Sequence, residues 1–212
     1  MSDESREFHK PIRRPAELFD RLFAADDPAE VSRVAHGTAA ALLSRVREDP
    51  EANVVDRLVD FTRDHGIDDI AELWSRSPAR SLPGTLWRLY LVQLMIHEDP
   101  QTAALLYERG RTDTSTADEI VAGAPAPAGP EELVALVDLI MRGVFQGDFA
   151  VALERASAFC RLEATGAAHL ADDYDATEPE RASAFTTRAL RLTTYATDLA
   201  SAATLWRKDA LT

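Results

Sequence analysis

The sequence predicts an all-α chain, a multi-helix bundle of about nine helices closed by a long heptad-patterned C-terminal helix. Three observations carry this expectation. From Ala182 the apolar positions run Ala182, Phe185, Ala189, Leu192, Ala196, Leu199, Ala203, Trp206, in alternating steps of three and four, which is the stripe of a helix packed along a partner helix. Asp27-Pro28, Asp49-Pro50 and Asp99-Pro100 each place a capping carboxylate before a proline at the first helical position, where the missing N–H has no intrahelical partner to lose. No stretch shows period-two alternation between turn residues, so no strand is expected.

Taken in order, residues 1–13 are polar and mixed in charge and read as a flexible tail without the apolar core of a signal peptide. Helices are expected over 14–25, 28–48, 51–65, 68–76, 84–98, 100–110, 131–146, 148–170 and 179–208. Glu30 completes a capping box with Asp27. Glu131, Glu132, Glu178 and Glu180 put acids in first turns, and Arg207 and Lys208 complete the last helix with the opposite charge. Residues 111–130, ending Gly123-Ala124-Pro125-Ala126-Pro127-Ala128-Gly129-Pro130, read as a partly extended connector between an N-terminal lobe (14–110) and a C-terminal lobe (131–212). Each lobe alone is a small helical set, so the two are expected to form one compact domain.

A net charge of −13 excludes non-specific binding to nucleic acid or an anionic membrane, both of which need a basic surface, and favours a basic partner. The single cysteine, Cys160, excludes an intrachain disulfide and a Cys-rich metal site. The most apolar run, Leu86 to Ile96, is too short to cross a bilayer and contains Arg88 and Gln93. A cytoplasmic protein is expected. Lys10 and Lys208 are the lysines among 23 basic residues, a bias that with heavy alanine use points to a GC-rich genome.

Chemistry-bearing patterns are sparse. His9, His36, His65, His97 and His169 include no His-x-x-x-His or Glu-x-x-His pair. His169 with Asp172, Asp173 and Asp175 is the best candidate for a divalent cation, against the simpler reading of a solvated acidic connector. His97 and His65 sit at helix ends, where a cation is favoured, and Asp99 reads as an N-cap. Cys160, on the apolar positions Leu153, Ala156 and Phe159, reads as a buried small hydrophobe. No phosphate loop, nucleophile elbow or dinucleotide fingerprint occurs, so no cofactor and no catalytic residue is expected. Arg88, on a helix apolar on nearly every face and therefore expected to be central, must meet a carboxylate or reach solvent. Alternatively it builds an anion or ligand pocket with Trp87 or Tyr90.

The runs Arg80-Ser81-Leu82-Pro83-Gly84-Thr85-Leu86-Trp87-Arg88-Leu89-Tyr90, Ile120-Val121-Ala122-Gly123-Ala124 and Gly147-Asp148-Phe149-Ala150-Val151-Ala152-Leu153-Glu154-Arg155-Ala156, with Glu72-Leu73-Trp74-Ser75, resemble a family of actinobacterial all-helical proteins of about this length. The resemblance covers most of the chain beyond the tail and implies no activity and no catalytic residue. Some members of that family carry the label of an RNA polymerase beta subunit. Such a subunit is several times longer, and its motifs do not occur here.

The expected function is non-enzymatic: a helical protein acting through protein–protein contacts, with a basic partner or as a homodimer. The alternative is a small-molecule sensor similar to TetR-type regulators, although residues 28–48 mix Arg33, Arg45 and Arg47 with Glu30 and Glu48 and so lack a basic reading helix. A third reading is a metal-dependent enzyme using His169 and its aspartates.

Overall fold

The computed structural model describes residues 28–48, 73–113, 117–124 and 128–211. They form α1 (Pro28–Glu48), α2 (Leu82–Glu98), α3 (Pro100–Asp113), α4 (Asp118–Ala122), α5 (Pro130–Gln146), α6 (Phe149–Tyr174) and α7 (Pro179–Trp206). The described residues contain no strand. The tail 1–13, the expected helices 14–25 and 51–65, most of 68–76, the caps at Asp27 and Asp49, His9 and His65 lie outside the described residues.

Helix starts follow local chemistry. Asp99 Oδ1 accepts the Thr102 N–H at 3.0 Å and Asp148 Oδ1 that of Val151 at 3.2 Å, each removing one unpaired amide. The start of α2 lies two residues before the expected position, because the cap is Ser81: its hydroxyl oxygen accepts the Gly84 N–H and donates to the Pro78 carbonyl at 2.7 Å. A Cβ on Gly84 would overlap that same carbonyl, so the Ser-Leu-Pro-Gly sequence is the fold of one tight helix entrance.

The centre of the bundle is α6 rather than α2. It packs on α3, α4, α5 and α7, and its buried positions occupy most of its circumference. In α2 the buried positions concentrate on one side, while Trp87, Tyr90, Leu91, Leu94 and Met95 are half-buried. Apolar faces all round thus mark α2 as wedged between α1, α5 and α7 without being the axis. One apolar core runs through residues of both lobes, from Ala35 and Trp74 through Leu89 and Val137 to Phe159 and Leu199.

The C-terminal stripe packs inside the chain. Leu192, Ala196, Leu199 and Ala203 are buried against the core, Trp206 meets Phe149 edge-to-face at 4.6 Å, and Phe185 stacks on Tyr174 at 5.9 Å. Burying each large side chain contributes roughly 1.5–3 kcal/mol. Away from the stripe, Thr186, Thr187, Thr193, Thr194, Thr197, Ser201 and Thr204 donate their hydroxyls to the carbonyl four residues earlier.

Where α3 passes α6 the two backbones touch. A Cβ on Gly166 would overlap the Leu106 carbonyl, and one on Gly110 the Leu162 carbonyl. Only hydrogen fits at both positions.

The described part of the expected 111–130 connector forms a strap laid against α6. Helix α3 runs three residues further than expected, and α4 interrupts the connector. Arg161 holds Asp118 through both carboxylate oxygens, with Nε–Oδ2 at 2.8 Å. Arg155 donates to the Ala122 carbonyl at 3.3 Å, beside Gly123, which ends α4 at φ +77° in the region that favours glycine. At the strap's two ends Glu108 accepts from Arg111 at 2.7 Å and from the Ala128 N–H at 2.9 Å. Arg111 beside it holds the Glu108 carboxyl below the usual carboxylate range.

Candidate functional site

Helices α6 and α7 form an antiparallel hairpin, and the outer seam between them is an open groove of about 510 Å³. Its floor is Ala164, Ala168 and Ala171 of α6, at the i, i+4, i+7 spacing that puts them on one face, with Thr165 beside them. Its far wall is Thr186, Ala189, Leu190 and Thr193 of α7. Small side chains on both helices keep the seam open. The Arg161–Asp118 pair closes one end and Asp172 stands at the other. Two large apolar side chains stand out beside this surface: Leu190, 66 % exposed, and Ile120 of α4, 84 % exposed, two residues from Asp118. The acidic end continues through Asp173, Asp175, Glu178 and Glu180 against Arg181, which lies over the Tyr174 ring at 4.0 Å.

Beneath the groove lies a polar group that sequence reasoning missed. Glu163 of α6 is fully buried, and its Oε2 is 3.5 Å from Nη2 of Arg188 on α7. Its Oε1, the Arg188 Nε and the Tyr107 hydroxyl of α3 are buried with no hydrogen-bond partner among the described residues. Burial pushes the Glu163 carboxyl up to about 8, opposed by Arg188, with Asp99 raising it further. Burial likewise pushes the Tyr107 phenol up to about 12. A signal for Glu163 existed: continuing the α6 stripe Leu153, Ala156, Cys160 by heptad steps lands on Glu163, then Ala167 and Leu170.

The residues singled out from sequence fall as follows. Arg88 Nε donates to Asp198 Oδ2 at 2.8 Å, with 18 % and 13 % of the two side chains exposed, and its Nη1 donates to the Gly84 carbonyl at 2.9 Å. It thereby ties α2 to α7. Trp87 and Tyr90 stack on each other at 5.5 Å, on the same helix. Arg88→Ala should cost about 1–2 kcal/mol in urea unfolding, intermediate between an exposed and a buried pair; a double-mutant cycle with Asp198→Ala isolates the pairwise part.

His169, Asp172 and Asp173 lie on the last turns of α6, which extends four residues past its expected end. Asp173 accepts from Arg109 at 2.9 Å. Among the described residues no group of three or more His, Cys, Asp and Glu side chains is arranged to hold a metal ion. Cys160 is buried, and burial pushes its thiol well above the usual value. His97 Nε2 lies 2.9 Å from Asp138 Oδ1 of α5, and Gln93 Nε2 donates to the same oxygen at 3.0 Å, joining α2 to α5 through one carboxylate.

The motif-like runs therefore do structural work in pairs. The first forms the α2 entrance and the Arg88 tie; the third supplies Arg155, which holds the turn of the second. No described helix is long and apolar enough to cross a membrane. Compared with family models, curated proteins and solved structures, the chain matches none.

Proposed function

We propose that the protein is a non-enzymatic, acidic interaction module of the cytoplasm that seats the apolar face of a helix from a basic partner protein in the α6–α7 groove. The observation that carries this reading is the groove itself: small residues on both walls admit a third helix closely, and Leu190 stands exposed at its edge as an apolar anchor. The charge of −13 and the acidic α6–α7 turn supply the attraction for a basic partner and the rejection of acidic ones. The groove's walls carry alanine, threonine and leucine, which suit packing rather than bond making.

The test is a photo-crosslinking residue at position 190 of the full chain, used in cells of the source organism, with the adduct mapped by mass spectrometry. The expected result is an adduct on a basic segment of another protein whose apolar residues repeat at three- and four-residue spacing. Binding of that protein should weaken as salt rises. Leu190→Arg should lower its affinity tenfold to a hundredfold, the worth of one buried leucine, while leaving thermal unfolding unchanged. Adducts confined to a second copy of the chain, or an affinity indifferent to Leu190→Arg, would overturn the proposal.

A further inference from the structure

The three buried polar atoms without partners, Tyr107 Oη, Glu163 Oε1 and Arg188 Nε, come from the three helices that meet under the groove. Two of these residues are next to groove residues in the chain: Glu163 precedes Ala164 on the floor, and Arg188 precedes Ala189 and Leu190 on the wall. Around them the α3, α6 and α7 contact holds an apolar cluster of Leu106, Ala167 and Leu170 with Phe185 and Ala189, and Arg109 of α3 donates to Asp173 of α6 at 2.9 Å. On the α3 side the backbones meet at Gly110 and Gly166, so α3 cannot move closer to α6. Across the α6–α7 side of the cluster the charged pair is long, 3.5 Å from Glu163 Oε2 to Arg188 Nη2, whereas Ser157 Oγ donating to the Ala196 carbonyl at 2.7 Å and Arg207 on Glu154 hold the two helices further along. A rearrangement of this pair acts first on Arg188, the residue before Ala189 and Leu190 of the groove wall.

We infer that Glu163 and Arg188 form a proton-operated latch on α7 that sets the geometry of the groove, a regulation that rests on the reading of that groove as the docking surface. Ionised Glu163 draws Arg188 inward and fixes the α7 wall against α6. Protonated Glu163 releases that hold, and the wall gains freedom around Ala189 and Leu190. The groups facing the carboxyl are Arg188 from α7, which favours its ionised form, and Asp99 at the head of α3, which opposes it. Tyr107 of α3 and the Cys160 thiol, one turn earlier on α6, are within electrostatic reach of it. Burial without a second partner holds its protonation equilibrium near about 8, so both forms are populated close to neutral pH. A ligand that prefers one wall position must then take up or release a proton when it binds.

The test needs no partner. In the full chain with labelled Ala, Leu and Glu, the methyl resonances of Ala164, Ala189 and Leu190 and the Glu163 side-chain carboxyl are followed by NMR between about pH 5 and pH 9. The groove methyls should move in one step whose midpoint equals that of the carboxyl, well above an ordinary glutamate. The step should vanish in Glu163→Gln. In Arg188→Gln the carboxyl should still titrate while the methyls stay still, which separates the latch from a general effect of pH. Methyls that do not move, a methyl step that survives in Glu163→Gln or Arg188→Gln, or a carboxyl titrating near its ordinary value would each overturn the latch. None of these outcomes bears on whether a partner docks, which the crosslinking experiment decides alone.

Discussion

Gly166→Ala is expected to destabilise the protein by about 3 kcal/mol, a fall of about 6–12 °C in Tm for a chain of this size. Helix propensity alone gives the opposite sign, because alanine is better than glycine in a helix interior by about 1 kcal/mol. Steric conflict wins here because the added methyl overlaps the Leu106 carbonyl. A backbone oxygen cannot swing aside as a side chain can, so α3 must back away from α6. Gly110→Ala should behave the same way, its methyl meeting the Leu162 carbonyl. The control is Gly37→Ala on α1, where nothing lies within 4 Å of the new Cβ and a gain of about 0.5–1 kcal/mol is expected. Chemical denaturation of the three variants checks the argument by sign: two losses and one gain. A gain at Gly166 would mean that the helices are not in backbone contact.

Glu163→Gln is expected to stabilise the protein at alkaline pH and to flatten its pH dependence. The carboxyl has its ordinary value of 4.5 in the unfolded chain and about 8 in the folded one. Across that window the folded state holds the extra proton, so stability falls as pH rises, by at most about 1.4 kcal/mol per pH unit from this one group. Above about pH 8 both states are ionised and the loss is complete. Glutamine keeps the shape of the protonated form and cannot ionise. At about pH 8.5 the variant should exceed the parent by about 2–4 kcal/mol, and near pH 5 the two should nearly coincide. Urea midpoints at the two pH values measure this directly. A variant less stable than its parent at the higher pH would mean that the ion pair with Arg188 outweighs the cost of burying the charge.

The parts of the fold written in local chemistry were legible. Asp99 caps because a carboxylate three residues before an unpaired amide needs nothing distant. The stripe from Ala182 to Trp206 faces the core because its period is that of the helix. What was not legible depends on pairs far apart in the chain. Nothing local distinguishes Asp198 among so many acids as the partner of Arg88, or Asp138 as the carboxylate shared by Gln93 and His97. The strap misled for a related reason: the glycine and proline run predicts an irregular path, but α4 just before it is held by Arg155 on Ala122 and Arg161 on Asp118, both from a later helix. The groove was hidden as well, since alanines on two helices announce close packing and do not say which seam stays open. Glu163 was within reach, because a charged residue in phase with an apolar stripe is a visible anomaly.

The hydroxyls of α7 have one more consequence. Each threonine that bonds back to its own helix turns its oxygen inward and leaves its γ-methyl as the part that meets the surroundings. Along the exposed Thr186, Thr193 and Thr194 this flank of the helix therefore carries methyl groups beside hydroxyls whose protons are spent. The protons of those hydroxyls are already engaged, so a visitor that covers them leaves no donor unsatisfied, while the oxygen lone pairs still accept from water. A count of residue types scores that flank as polar, yet what it offers a visitor is methyl groups and donors already satisfied.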